Sequence, residues 1–169
     1  MHIRKSITND LQRLMEIFHY AQRFLASLNI DQWQDGYPNE AQILNDIQNN
    51  ESYVVENNED EIIATYMLTT SNEPTYNEID GNWITSTDAI YGVVHRIAVG
   101  ENCTQKGMGT TLISYCEEQL KQQNIASMRI DTHPDNLGMQ HILKKLKYTY
   151  CGIIKVRNGA TRLAFEKLL

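Results

Sequence analysis

The chain has 169 residues, a formal net charge of −6 and 41% hydrophobic residues, enough for one domain with a substantial core. The acidic balance argues against nucleic acid or an anionic membrane as the main partner, and no apolar run approaches the ~18 residues of a membrane span. Three irregularly spaced cysteines, Cys103, Cys116 and Cys151, suit neither a disulfide frame nor a zinc site, so a cytoplasmic setting without a metal is expected.

In chain order, His2–Ile7 reads as a short strand and Thr8 or Asn9 as the cap of a following helix. Leu11, Leu14, Met15, Phe18, Ala21, Leu25 and Leu28 recur at three- and four-residue steps, which predicts an amphipathic helix over residues 9–28. The opening stretch has no apolar run like that of a signal peptide. Gly36 and Pro38 break the next segment, leaving Trp33 and Tyr37 in a polar loop. A second helix over residues 39–49 starts at Asn39. Residues 52–56 and 61–70 flank the turn Asn57–Asp60 as a hairpin. Residues 71–87 show no sustained period and read as a long loop with a helical turn around Tyr76–Ile79. Strand returns over Asp88–Val99. After the segment discussed next come a strand at Met128–Asp131, a connection containing Pro134, a helix over Leu137–Leu146, a strand over Tyr148–Arg157, a turn at Asn158–Gly159 and a last strand at Thr161–Glu166. Strands interleaved with helices and closed by a hairpin imply a mixed α/β sheet.

The informative stretch is His95–Leu120. A β-branched strand end runs into a polar turn with Gly100, Gly107 and Gly109, then into a helix with Leu112, Ile113, Cys116 and Leu120 on one face. The first N–H groups of a helix have no internal partner and lie at the positive end of its dipole, so a phosphate is the natural ligand of such a turn. No Lys follows Gly109, which excludes the nucleotide loop G-x-x-x-x-G-K-[ST]. No third glycine completes G-x-G-x-x-G, which excludes the dinucleotide fingerprint. A plain strand-to-helix connection without a ligand remains the alternative.

Two motifs carry a resemblance to a known family. Thr104-Gln105-Lys106-Gly107-Met108-Gly109 matches the pyrophosphate turn [RQ]-x-x-G-x-[GA] at both glycines, with Thr104 at the first position. Asn136 opens a helix after the strand Met128–Asp131. With the order of elements, these identify the chain as similar to the GNAT superfamily of acetyl-CoA-dependent N-acetyltransferases across essentially its whole length. The resemblance implies one acetyltransferase domain over residues 1–169, with a central, mixed, mostly antiparallel sheet and helices on both faces. It implies acetyl-CoA as co-substrate and an amine acceptor. Ile97, Ala98 and Val99 at the strand end, Thr104 to Thr110 in the turn (Thr104, Gln105, Lys106, Gly107, Met108, Gly109, Thr110), and Asn136 with Met139 would line the CoA site. Leu143 stands where the family often has a Tyr that protonates the departing thiolate.

The reaction so implied needs a base for the ammonium of the acceptor, a donor for the oxyanion and a proton for the thiolate. In the family a base often comes from the strand before the turn. Here that is His95, which shares a face with Val93 and Ile97 by alternation; the other reading is a core histidine bonded to a carbonyl. His133 lies at the carboxyl end of a strand, where Asp131 can orient it, or is only a turn residue before Pro134. Tyr148 is either a thiolate donor or the aromatic core residue that the family keeps as Phe. Trp33 and Tyr37 belong to the region that covers the acceptor in the family, and serve as a pocket wall or as a loop anchor. Glu73, Glu78 and Asp80 favour a cationic acceptor or form a solvated face. The function expected is direct transfer of an acetyl group from acetyl-CoA to a primary amine of a small molecule or protein terminus, the alternative being a slow acyl-CoA sensor. Exposed edges near the final hairpin leave a homodimer open.

Overall fold

Periodic apolar residues do wind the first helix, but its start is set differently from the expectation. The computed structural model describes residues 1–156 and 159–169; Arg157 and Asn158, and with them the turn expected there, lie outside the described residues. The elements are β1 (His2–Lys5), α1 (Leu11–Ser27), α2 (Glu40–Gln48), β2 (Ser52–Glu56), β3 (Ile62–Thr69), β4 (Asp80–Gly81), β5 (Gly92–Val99), α3 (Met108–Gln122), β6 (Ser127–Thr132), α4 (Leu137–Lys145), β7 (Thr149–Lys155) and β8 (Thr161–Leu168), with 3-10 turns at Thr8–Asp10 and Pro74–Tyr76. These make a mixed α/β fold with mostly antiparallel strand pairing, as expected. The chain divides into two compact units, Met1–Leu68 with Arg96–Leu112, and Thr69–His95 with Ile113–Leu169.

In the first unit β1, β2 and β3 pair antiparallel, with Ile3 opposite Val55 and Val54 opposite Thr65. The hairpin turn is held by Asn57, whose Oδ1 accepts from the backbone N–H of Glu59 at 2.9 Å and of Glu61 at 3.0 Å. Neither Thr8 nor Asn9 caps α1. Asp10 holds the start instead: its carboxylate accepts the N–H of Ile7 at 2.8 Å and two Arg4 guanidinium hydrogen bonds at 2.8 and 3.0 Å. Asn39 does cap α2, accepting from the N–H of Gln42 at 3.0 Å, a contact of about 1 kcal/mol. Leu14, Ile17 and Phe18 of α1, Ile43 and Ile47 of α2, Val54 and Ala98 form the core of this unit. Each large side chain so buried contributes roughly 1.5–3 kcal/mol.

In the second unit β5 pairs parallel with β6, and β6, β8, β7 and β4 follow antiparallel. The segment 71–87 is more ordered than its lack of period suggests. Pro74 suits the first position of a helical turn, so the 3-10 turn lies at Pro74–Tyr76, ahead of the expected Tyr76–Ile79. Asp80 and Gly81 pair with Ile153 and Gly152 of β7. Tyr76 is buried with Tyr91, Val93, Ile154 and Ala164, and Trp83 donates its indole N–H to the carbonyl of Tyr76 at 2.9 Å. β5 begins at Gly92 and not at Asp88, because a turn closed by Ala89 N–H to Ser86 O at 3.2 Å occupies the preceding residues. Among the described residues, no helix is long and apolar enough to cross a membrane.

Candidate functional site

In the first unit, the end of β5 carries a left-handed residue. Arg96 has φ +53°, which interrupts the two-residue alternation assumed for Val93, His95 and Ile97. Its guanidinium is buried, donating to Asp46 Oδ2 at 2.7 Å and to the phenol oxygen of Tyr37. Burial pushes the Asp46 carboxyl up, against the pull of Arg96 and Gln42. Tyr37 is therefore tied to the strand end; Gln22 Nε2–H also donates to its carbonyl at 3.0 Å. Trp33 sets its ring edge-on to Phe18 with centroids 6.0 Å apart and packs on the α1/α2 core.

Beyond the half-buried Ile97 and Val99 and the buried Ala98, the turn is braced from α1 and β3. Gly100 N–H donates to Ile63 O at 2.8 Å, and a Cβ at Gly100 would come within 3.2 Å of that same oxygen and of Ile17. Arg13 donates to Ile62 O at 3.1 Å and to Asn102 Oδ1 at 2.7 Å. Thr104, Gln105, Lys106 and Gly107 are exposed. Gly107 has φ +78° and open space where a Cβ would stand, so backbone conformation alone favours glycine there. Helix α3 starts at Met108, two residues earlier than expected, which places Gly109 and Thr110 in its first turn. Their N–H groups belong to the helix end that favours an anion. The turn so presents backbone donors of the kind an anion accepts from.

In the second unit, strand register brings the titratable groups together. Val93 lies opposite Arg129 across the parallel β5/β6 pair, so His95 and Asp131, each two residues further, are neighbours. His95 Nδ1 is 3.6 Å from Asp131 Oδ1, and its Nε2 is 3.0 Å from Glu73 Oε2. Asp131 Oδ1 accepts the Tyr76 hydroxyl at 2.8 Å, and the Tyr76 ring meets the imidazole edge-on at 5.9 Å between centroids. Glu73 Oε1 accepts from Thr75 N–H at 3.1 Å and Thr75 O–H at 2.8 Å. Burial alone would raise the Glu73 carboxyl, but the His95 contact and the two Thr75 hydrogen bonds hold it down at about 2. Asp131 so stands beside His95 while its Oδ1 holds the Tyr76 hydroxyl. Among the described residues, no group of three or more His, Cys, Asp or Glu side chains is arranged to hold a metal ion.

The depressed Glu73 carboxyl has a stability consequence. Its folded value lies below the ordinary unfolded one near 4.3, so its contribution is complete above that pH and lost as pH falls towards about 2. Glu73→Gln is expected to lower stability by roughly 2 kcal/mol at neutral pH, with the gap in Tm from the parent closing as pH falls from about 4.3 towards about 2. Thermal melts across that range read it directly.

The remaining predicted residues fall in two places. His133 Nδ1 accepts the N–H of Asp135 at 3.1 Å, and Asn136 Oδ1 accepts the N–H of Met139 at 3.0 Å, capping α4. Tyr148 is away from this cap and is 7% exposed. The Lys167 ammonium lies 5.6 Å from its ring centroid, and burial beside Glu117 pushes its hydroxyl far up. Leu143 is wholly buried. Sequence reasoning passed over Tyr76, Arg96 and Asp46. It left Glu73 as an acceptor-side charge or part of a solvated face, although Glu-Pro-Thr is a legible start of a helical turn.

Three comparisons bear on these features. A family model described as the acetyltransferase (GNAT) family matches residues 14–148. No curated protein matches the chain. Among solved structures, a GNAT-family acetyltransferase from Streptococcus agalactiae 2603 is 31% identical, with a TM-score of 0.87, covering 99% of this chain and 95% of its own. One from Listeria monocytogenes 4b F2365 is 15% identical, with a TM-score of 0.79 and coverages of 99% and 94%. A phosphinothricin acetyltransferase from Sinorhizobium meliloti, solved in complex with AcCoA, is 13% identical, with a TM-score of 0.67 and coverages of 99% and 88%. The last two likenesses show a shared fold.

Proposed function

Because the chain belongs to the acetyltransferase (GNAT) family, we propose that it moves an acetyl group from acetyl-CoA to a primary amine of a small molecule or protein terminus, in the cytoplasm and as a single domain over residues 1–169. The observation that carries this reading is that one strand, β5, holds His95 against two carboxylates and then ends in an open turn suited to a diphosphate. The residues that would hold the CoA diphosphate are Thr104 to Thr110, with Asn136 and Met139 on the pantetheine side. Acetyl-CoA supplies the activated thioester. His95 takes the proton that the acceptor ammonium must lose before it is a nucleophile. The Ala98 or Val99 N–H would receive the charge that develops on the carbonyl oxygen. The protonated His95 is then able to return a proton to the departing thiolate, a task that the buried Leu143 has no group for. Direct transfer accords with the buried thiols of Cys116 and Cys151, which burial raises and so makes poor nucleophiles.

Leu143 also favours a second reading, an acyl-CoA sensor with slow turnover. Thiol release from acetyl-CoA with a panel of alkylamines, amino acids and peptide termini tests the first. Release above background with at least one amine class supports the enzyme. Strong thermal stabilisation by CoA without release supports the sensor. Absence of both overturns the two readings together.

A further inference from the structure

His95 stands between two carboxylates that treat its two nitrogens differently. Glu73 Oε2 lies within hydrogen-bond distance of Nε2, at 3.0 Å. Asp131 Oδ1 stands 3.6 Å from Nδ1, too far for a hydrogen bond, and already accepts the Tyr76 hydroxyl at 2.8 Å. The Glu73 carboxylate has no freedom to turn away, since Thr75 occupies its other oxygen with both N–H and O–H. An ionised carboxylate only accepts, and a neutral imidazole carries one N–H. Resting on the reading of His95 as the base, we infer that Glu73 is a positioning residue: it keeps the imidazole proton on Nε2 and so makes Nδ1 the nitrogen that takes the acceptor's proton, with Asp131 as the counter-charge.

The proton count closes. The acceptor ammonium gives one proton to the Nδ1 lone pair, leaving a neutral amine and an imidazolium. That imidazolium lies between the Glu73 and Asp131 side chains, so the charge arrives where it is stabilised. Among the described residues, the charged and titratable groups facing the ring are Glu73, from the segment before the 3-10 turn, Tyr76 on that turn, and Asp131 on β6. The His95 contact and the Thr75 hydrogen bonds hold the Glu73 carboxyl down at about 2, so it is an acceptor at neutral pH. Tyr76 is pinned in turn, with its carbonyl bonded to Trp83 and its ring stacked on Tyr91 at 6.4 Å.

Long-range ¹H–¹⁵N spectra of the histidine rings in the full chain test this without any turnover. The expected result is a His95 that carries its proton on Nε2 at neutral pH, and a tautomer shift in Glu73→Gln, whose amide both donates and accepts. A His95 protonated on Nδ1 alone overturns the inference, whether or not the variant folds. In kinetics, Glu73→Gln is expected to lower kcat about 10- to 100-fold, leave KM for acetyl-CoA within about twofold, and move the acid limb of the pH profile to lower pH, because a counter-charge is gone. Glu73→Asp is expected to recover part of kcat. A variant with a lower Tm but an unchanged kcat and acid limb makes Glu73 structural and overturns the inference. The expected tautomer with no turnover for any amine upholds the Glu73 assignment and overturns acetyl transfer instead.

Discussion

His95→Ala is expected to lower kcat/KM by about 100- to 10,000-fold, the span that loss of a general base commonly covers. The acid limb of the pH profile is expected to vanish with it, since the rate would no longer depend on a neutral imidazole. Alanine has a second effect, because it leaves the Glu73 and Asp131 side chains facing a cavity, with the ring donor to Glu73 gone. His95→Gln separates the two effects. Its amide still donates to Glu73 and fills most of the volume, so its Tm should stay near that of the parent while the rate falls as far as in the alanine variant. If both variants keep the parent rate and lose only stability, His95 is a structural histidine and the base lies elsewhere.

The second large effect is on folding. Arg129 and Glu166 are cross-strand partners of β6 and β8, with Arg129 2% and Glu166 0% exposed. Arg129 Nε donates to Glu166 Oε1 at 3.1 Å and Nη2 to Thr85 Oγ1 at 2.9 Å. Its guanidinium is stacked between Tyr91 at 3.7 Å and Trp83 at 4.3 Å. Glu166 also accepts from Ile84 N–H at 2.6 Å, Thr85 N–H at 3.2 Å and Thr85 O–H at 2.5 Å. Burial would raise this carboxyl, but the Thr85 and Arg129 donors hold it below the ordinary value. Arg129→Met keeps the volume and leaves a buried charge without its cation, which costs about 3–5 kcal/mol. For a chain of this length that is a drop in Tm of roughly 6–20 °C. The loss should shrink as pH falls, because the orphaned carboxylate can then take a proton, whereas the paired one resists it. Arg129→Lys should fall between, since an ammonium restores charge without the planar stack. A methionine variant that melts within 1–2 °C of the parent would show that the pair adds specificity and little stability.

How much of this was readable before the fold was known depends on how local each signal is. The Asn39 cap, the β2/β3 hairpin and the strand–turn–helix around Gly107 are written in short windows; all three form, the last with its strand starting later and its helix two residues earlier than read. The α1 start failed because Arg4, six residues before Asp10, makes the acid a better anchor than Thr8 or Asn9. β4 is two residues long and has no period to detect. The sequence singled out His95 and the turn, but not the groups around His95. His95 meets Asp131 only through the parallel register of β5 on β6, and meets Glu73 only because Tyr76 packs into the second core. Such register is a property of the assembled strands. The αL conformation of Arg96 is equally invisible, since its compensation comes from Asp46 and Tyr37, far back in the chain.

The chain holds two tryptophans, and the division into units gives Trp33 to one and Trp83 to the other. The backbone passes between the units after Leu68, inside β5 between His95 and Arg96, and inside α3 between Leu112 and Ile113. Neither unit is a continuous length of polypeptide, so no truncation releases one of them, and a strand and a helix would have to break in the middle for either to melt alone. Trp33→Phe and Trp83→Phe each leave a single emitter, one beside Phe18 and one beside Tyr76. In urea the fluorescence of each variant should coincide with that variant's own far-UV circular-dichroism transition, the behaviour of a single cooperative folding unit.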